Sequence, residues 1–140
     1  MTQRVEIVRR IMDSNERVAL ENRALLDKKG AYGINIMASP GAGKTSVIME
    51  TLRRLPPSVR TGVIEGDTAP VTIDSDKIAA LGFPVVQINT GGDCHLDAVM
   101  VDLALKKLDL DQLNLVIIEN VGNLICPAAF ELGTHANVLI

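Results

Sequence analysis

Residues 32–45 read YGINIMASPGAGKT, a short apolar run followed by a glycine-rich turn that ends in Lys44 and Thr45. The run YGINIM at 32–37 predicts a strand. The last eight residues, ASPGAGKT at 38–45, fit the phosphate-binding loop GxxxxGK[ST] except at its first glycine, which is Ala38 here. Gly41 and Gly43 let the backbone curl, so that N–H groups from Gly41, Ala42, Gly43, Lys44, Thr45 and Ser46 face phosphate oxygens at the positive end of the following helix. Lys44 then reaches the outer phosphates and the Thr45 hydroxyl sits on Mg²⁺. A bare motif string arises by chance, and the bland alternative is a structural glycine turn. The order strand, loop, helix favours nucleotide. Ala38 strains the loop only if its backbone needs a positive φ.

Outward from this loop, four more segments read as short strands: VRTGVIE at 59–65, PVVQIN at 84–89, NLVIIE at 114–119 and NVLI at 137–140. Helical stretches fall between them at 44–55, 74–81 and 95–107. Strands alternating with helices imply crossover units, so the expected fold is α/β, a P-loop NTPase-like, mostly parallel sheet flanked by helices. A helix is also predicted over 5–28, with an apolar stripe through Val5, Val8, Ile11, Met12, Val18, Ala19, Leu25 and Leu26, interrupted by Asn15. Lys28, Lys29 and Gly30 stop it. The expected division is a helical extension at 1–30 and a nucleotide domain at 31–140. The apolar ending ANVLI, without a turn or polar tail, reads as a shortened domain lacking its C-terminal part.

Composition bounds the function. The 140 residues are 47% hydrophobic and 22% charged with a net charge of −3, which suits one globular domain and gives no reason to expect a nucleic acid or membrane partner. The start MTQRVEIVRR lacks the apolar centre of a secretion signal. Two cysteines make no disulfide scaffold, so a reducing cytoplasm is the expected location.

Acids follow the predicted strands. Glu65 and Asp67 in EGD lie where ligands gather in open parallel sheets, and Asp67 is the expected carboxylate near Mg²⁺, directly or through water. Solvated acids before a turn are the plain alternative, above all for Glu65. Glu119 ends LVIIE and Gly122 follows three residues later, resembling the second acidic motif of phosphate-loop hydrolases, with Glu119 supporting Mg²⁺ or orienting the attacking water and the Gly122 N–H sensing the last phosphate. The expected catalytic set is Lys44, Asp67, Glu119 and Gly122, acting by positioning and electrostatics.

Cys94 and His95 follow the third strand and Cys126 the fourth, so all three can meet at the nucleotide-bearing edge. Thiolate and imidazole suit nickel, zinc or copper(I). Three side-chain ligands leave a fourth place for water or for pooling across a two-fold axis. Taken alone, this is a weak metal signal, since a lone cysteine is more often a small buried hydrophobe. Asp93 and Asp97 flank the pair as candidate acceptors for the His95 ring, although Asp97 equally suits a first helical turn. His135, in GTHA, reads most simply as a surface or capping histidine, with a ligand to a second metal as the alternative.

The strings QINTGGDCHLDAVMVDLAL and IENVGNLICPAAFELGTH, in order after the phosphate loop and EGD, resemble the nickel-insertion GTPases of nickel-iron hydrogenase maturation, relatives of the urease-maturation GTPases. The resemblance implies binding of GTP and Mg²⁺, nickel or zinc on the GTPase domain, homodimers, and nickel delivery to the hydrogenase large subunit with a partner nickel-delivery protein. It implies Cys94, His95 and Cys126 as metal ligands, residues 41–45 on phosphate, and Thr45, Asp67 and Glu119 nearby. The chain departs from the pattern in lacking an N-terminal cysteine cluster or histidine tract, in a longer TAPVTIDSDKI link, and in Lys77 where arginine is expected. No Asn-Lys-x-Asp motif is present, so guanine selectivity rests on the resemblance alone. Because Cys126 lies four residues past Gly122, closure on the terminal phosphate would move one metal ligand. A P-loop ATPase or kinase without metal delivery, and a binding protein without turnover, remain the alternatives.

Overall fold

The computed structural model describes residues 2–5, 7–70 and 72–140, with the backbone alone at 7–9. Five strands, β1 (Tyr32–Met37), β2 (Thr61–Asp67), β3 (Val85–Asn89), β4 (Leu115–Glu119) and β5 (Ala136–Leu139), form one wholly parallel sheet in the order β3-β2-β4-β1-β5. The helices are α1 (Ile7–Lys29), α2 (Lys44–Arg54), α3 (Ile73–Ala79) and α4 (Ala98–Leu105). The expected α/β architecture is therefore found, with boundaries shifted for local reasons. The β2 strand starts late because the Val59 N–H closes a turn on the Pro56 carbonyl, and it runs on to Asp67. The α4 helix starts at Ala98 because Asp97 caps it, accepting from the Met100 N–H at 2.9 Å. Two short 3-10 turns, Leu110–Gln112 and Pro127–Ala129, were not foreseen. Among the described residues no helix is long and apolar enough to cross a membrane.

Parallel strands buried on both faces explain the continuous apolar runs. Ile64, Val116 and Ile118 pack on one side with Leu96, Val101 and Leu105, and Leu26 of α1 joins them. Val63, Ile117 and Ile36 pack on the other with Ile48 and Leu52 of α2 and Ile78 of α3. All the strands point their carboxyl ends to one edge, which gathers the loops that follow them.

The α1 helix corrects the predicted stripe. Val5 and Ile11 are exposed and the Val8 side chain lies outside the described residues. The buried positions are Asn15, Ala19, Asn22 and Leu26, one face at helical spacing on which two of the four residues are polar. An apolar pattern cannot find a face on which half of the buried residues are amides.

Candidate nucleotide and metal site

The loop after β1 turns through left-handed backbone at Gly41 (φ 73°) and Gly43 (φ 95°), with nothing within 4 Å of where a Cβ would sit. Among the described residues no non-glycine has a positive φ, so Ala38 fills the first position of the motif without strain. Ala42 and Ser46 are exposed, Ser46 on the first turn of α2, while Lys44 and Thr45 are half-buried beside β4.

Glu65 and Glu119 are register partners on neighbouring strands β2 and β4, which places two carboxylates side by side at the sheet edge. Asp74, from the first turn of α3, joins them, and the three offer ligand atoms within 4.8 Å of one another. Thr45 Oγ1 donates to Glu119 Oε1 at 2.8 Å, and Ser75 Oγ donates to Glu65 Oε2. Burial pushes the Glu119 carboxyl up to about 7; the Thr45 hydrogen bond and Lys44 oppose this, and Glu65 and Asp74 add to it. Glu65 is raised by burial as well, against the pull of Ser75, with Asp67 and Asp74 raising it further. The second oxygen of Glu119 is buried without a partner. An orphaned carboxylate oxygen within an acidic cluster, beside a threonine hydroxyl, fits a hard divalent cation such as Mg²⁺.

Asp67, the expected Mg²⁺ carboxylate, is not in this cluster. It lines the same cleft but turns one oxygen to the Ala69 N–H at 3.2 Å, closing the turn after β2. The third acid is Asp74, which sequence reasoning missed because TAPVTIDSDKI read as an overlong link. An acid at the start of the helix that follows the link after EGD was the available signal. The cleft holds about 290 Å³ and is lined by Lys44, Glu65, Asp74, Glu119 and Gly122 among others. Larger cavities lie elsewhere, one of about 560 Å³ between α1 and the start of α4, but the convergent charge is here. At Gly122 an added Cβ would sit 3.2 Å from Pro40 Cα and 3.3 Å from Lys44 Nζ, so the loop after β4 rests directly on the phosphate loop.

The loops after β3 and β4 bring Cys94, His95 and Cys126 together, all half-buried, with ligand atoms within 4.8 Å. The structure closes Cys94 and Cys126 into a disulfide, Cα atoms 6.1 Å apart. The sequence offered the pair as two thiolates and anticipated no disulfide; the cause is the convergence of the two loops, which suits a bond when oxidised and two facing thiolates when reduced. His95 turns Nδ1 toward Cys94 Sγ at 3.8 Å and stacks on Phe130, ring centroids 3.9 Å apart. Phe130 was not foreseen. Asp97 caps α4 and Asp93 is exposed, so the ring is oriented by stacking. His135, read as a surface or capping histidine, is not a surface residue: its ring is largely covered, Nδ1 accepts the Gly33 N–H of β1 at 2.9 Å, Nε2 meets Asp27 at 2.7 Å, and the ring stacks on Tyr32.

Between the two clusters lies Asn120, wholly buried. Its Oδ1 accepts from the Val121 N–H at 2.9 Å and the Leu96 N–H at 3.2 Å, and its Nδ2 donates to Asn35 Oδ1 at 3.1 Å.

Comparison with known proteins agrees with this geometry. Residues 33–138 match the family model described as CobW/HypB/UreG, nucleotide-binding domain. The hydrogenase maturation factor HypB of Escherichia coli (strain K12) is 45% identical over 142 residues, covering 100% of this chain and 49% of that protein. The probable hydrogenase maturation factor HypB of Methanocaldococcus jannaschii is 41% identical over 136 residues, covering 97% and 61%. The crystal structure of HypB from Helicobacter pylori in complex with nickel superposes with a TM-score of 0.84 at 35% identity, covering 90% of this chain and 59% of that one. HypB from Archaeoglobus fulgidus gives a TM-score of 0.82 at 39% identity, covering 91% and 62%. The chain spans about half the length of the curated relatives it matches. With the phosphate loop, the acidic cluster and the Cys-His-Cys group on one sheet edge, and with a family model matching 33–138, the chain belongs to the CobW/HypB/UreG nucleotide-binding domain family.

Proposed function

We propose that this chain is the GTP-binding and hydrolysing part of a metallochaperone that helps insert nickel into nickel-iron hydrogenase, with residues 1–30 as a helical extension of a nucleotide domain at 31–140. The observation that carries the reading is the placement of two separate ligand clusters, one of hard oxygens and one of sulfur and imidazole, on the same sheet edge. Kinship with proteins named for hydrogenase maturation, one solved in complex with nickel, supports the cargo.

Backbone N–H groups of residues 41–46 cradle the phosphates, and Lys44 neutralises the outer ones. Thr45, Glu119 and Asp74 would hold Mg²⁺, with Glu65 beside them and Asp67 shaping the turn. When bound, Mg²⁺ supplies charge neutralisation on the phosphate oxygens. Glu119 orients the attacking water or supports the cation, and the Gly122 N–H meets the terminal phosphate. In the reduced protein Cys94, His95 and Cys126 take the cargo ion, nickel or zinc, with a fourth ligand from water or from a second copy in a homodimer. The hydrogenase large subunit and a nickel-delivery protein are the proposed partners.

Phosphate release from GTP with Mg²⁺, alongside Ni²⁺ binding to the reduced protein, tests the reading. Release abolished by Lys44→Ala and nickel binding weakened by Cys94→Ala support it. Transfer of phosphate to an added acceptor instead of water, or nucleotide binding without release, would select one of the two rival classes.

A further inference from the structure

The buried face of α1 carries two asparagines seven residues apart, and both reach the same two backbone segments. Asn15 Oδ1 accepts the Ala98 N–H at 2.8 Å, and its Nδ2 donates to the Glu131 carbonyl at 2.8 Å. Asn22 Nδ2 donates to the Ala98 carbonyl at 2.9 Å and to the Leu132 carbonyl at 3.0 Å. Ala98 lies three residues past His95, while Glu131 and Leu132 lie five and six past Cys126. One helix face thus grips the end of the Cys94–His95 loop and the end of the Cys126 loop. Both amides are almost fully buried, and Asn22 Oδ1 is left without a partner, so Asn22 tolerates an unmet acceptor while both its amide hydrogens are committed. Four hydrogen bonds spanning two loops give these polar residues a reason to occupy a core face.

We propose that α1 is a clasp that sets the separation of the two metal-bearing loops, with Asn15 and Asn22 as positioning residues for the Cys94, His95 and Cys126 ligand set. This rests on the metal reading for its functional meaning, but the clasp itself is a statement about the distance between two thiols. Between the gripped ends lie the contacts whose geometry it fixes, the His95–Phe130 stack and the Cys94–Cys126 pair. Replacing either asparagine lets the loops part, and ligand atoms held on separate loops then bind one ion less well.

The test compares Asn15→Leu and Asn22→Leu with Arg23→Leu. Arg23 also gives α1 two hydrogen bonds, to the carbonyls of Gly133 and Thr134 at 3.1 and 2.7 Å, but only on the Cys126 side. Two readouts are taken on the whole chain. The first is Ni²⁺ affinity of the reduced protein, with the thiolate-to-nickel absorption band as the signature of the ligand set. The second needs no metal: equilibration with glutathione, in which the two protein thiols and one oxidised glutathione give the Cys94–Cys126 disulfide and two reduced glutathiones. The asparagine variants should lose about tenfold in nickel affinity, shift the absorption band, and show a weaker tendency to form the disulfide, whereas Arg23→Leu should change neither beyond a lower melting temperature. If Asn22→Leu does not fold, Asn15→Leu decides, since it removes one bond to each loop. Asparagine variants that match Arg23→Leu in both readouts would overturn the clasp. A wild type without a thiolate-to-nickel band, whose disulfide equilibrium still responds to Asn15→Leu, would remove the metal reading and leave the clasp standing.

Discussion

Asn120 Oδ1 accepts the backbone N–H of Leu96 at 3.2 Å, which ties the residue after Glu119 to the residue after His95. The same side chain is bonded to Asn35 on β1, the strand that feeds the phosphate loop. One buried amide therefore touches the supports of both clusters, so a shift of the loop after β4 would be transmitted to the loop that carries His95. Coupling of this kind must be reciprocal. Asn120→Ala should cost on the order of 2–4 kcal/mol, because it strands the Leu96 and Val121 N–H groups and the Asn35 oxygen. It should also flatten any dependence of nickel affinity on bound nucleotide, measured by parallel denaturation and metal titrations.

Glu119 gives a pH prediction. With the folded carboxyl at about 7 and the ordinary value at 4.5, the native state holds a proton that the unfolded chain has released. Where the native state binds more protons, stability falls as pH rises. The Mg²⁺-free protein should therefore lose on the order of 3 kcal/mol between about pH 4.5 and 7 from this group. Glu119→Gln should flatten that slope and be the more stable protein at pH 8 without Mg²⁺, as urea denaturation across pH would record. Added Mg²⁺ and nucleotide should reverse the order.

Asp74 and Asp67 separate cleanly. Asp74 belongs to the three-acid cluster and Asp67 does not. Asp74→Asn should raise the Mg²⁺ concentration needed for half-maximal nucleotide binding by about tenfold or more, while Asp67→Asn should have a smaller effect through the turn after β2. Equal effects in an Mg²⁺ titration would place Asp67 on the cation after all.

Gly122→Ala places a methyl 3.2 Å from Pro40 and 3.3 Å from the Lys44 ammonium. The Pro40 backbone yields less readily than a flexible side chain, so the loop after β4 and the phosphate loop must separate by a few tenths of an ångström. With the Gly122 N–H proposed to meet the terminal phosphate, hydrolysis should fall further than nucleotide affinity. Single-turnover phosphate release set against calorimetric binding distinguishes the two.

Much of this was legible in the sequence and some was not, for identifiable reasons. The phosphate loop is local, so eight consecutive residues and their flanking strand and helix revealed it. Glu65 and Glu119 announced themselves by ending apolar strands, and parallel register did the rest. Asp74 was missed because only the folded chain brings the start of α3 beside Glu65 and Glu119, a tertiary fact. Asn15 was visible only as a break in a stripe; that the break marks the face itself, with Asn22 on the next turns, required the loops it binds. The disulfide between Cys94 and Cys126 was hidden because spacing along the chain, 32 residues, says nothing about where two loops converge.

If nucleotide state and cargo-metal binding are linked through one sheet edge, the Ni²⁺ affinity of the reduced chain must differ among three conditions: nucleotide-free, with Mg²⁺ and a non-hydrolysable GTP analogue, and with Mg²⁺ and GDP. Affinities in the triphosphate and diphosphate states should differ by about fivefold or more, with the difference lost in Lys44→Ala, which removes the charge that holds the phosphates. Nickel affinities that agree across all three conditions, with the nucleotide shown to be bound, would contradict that link.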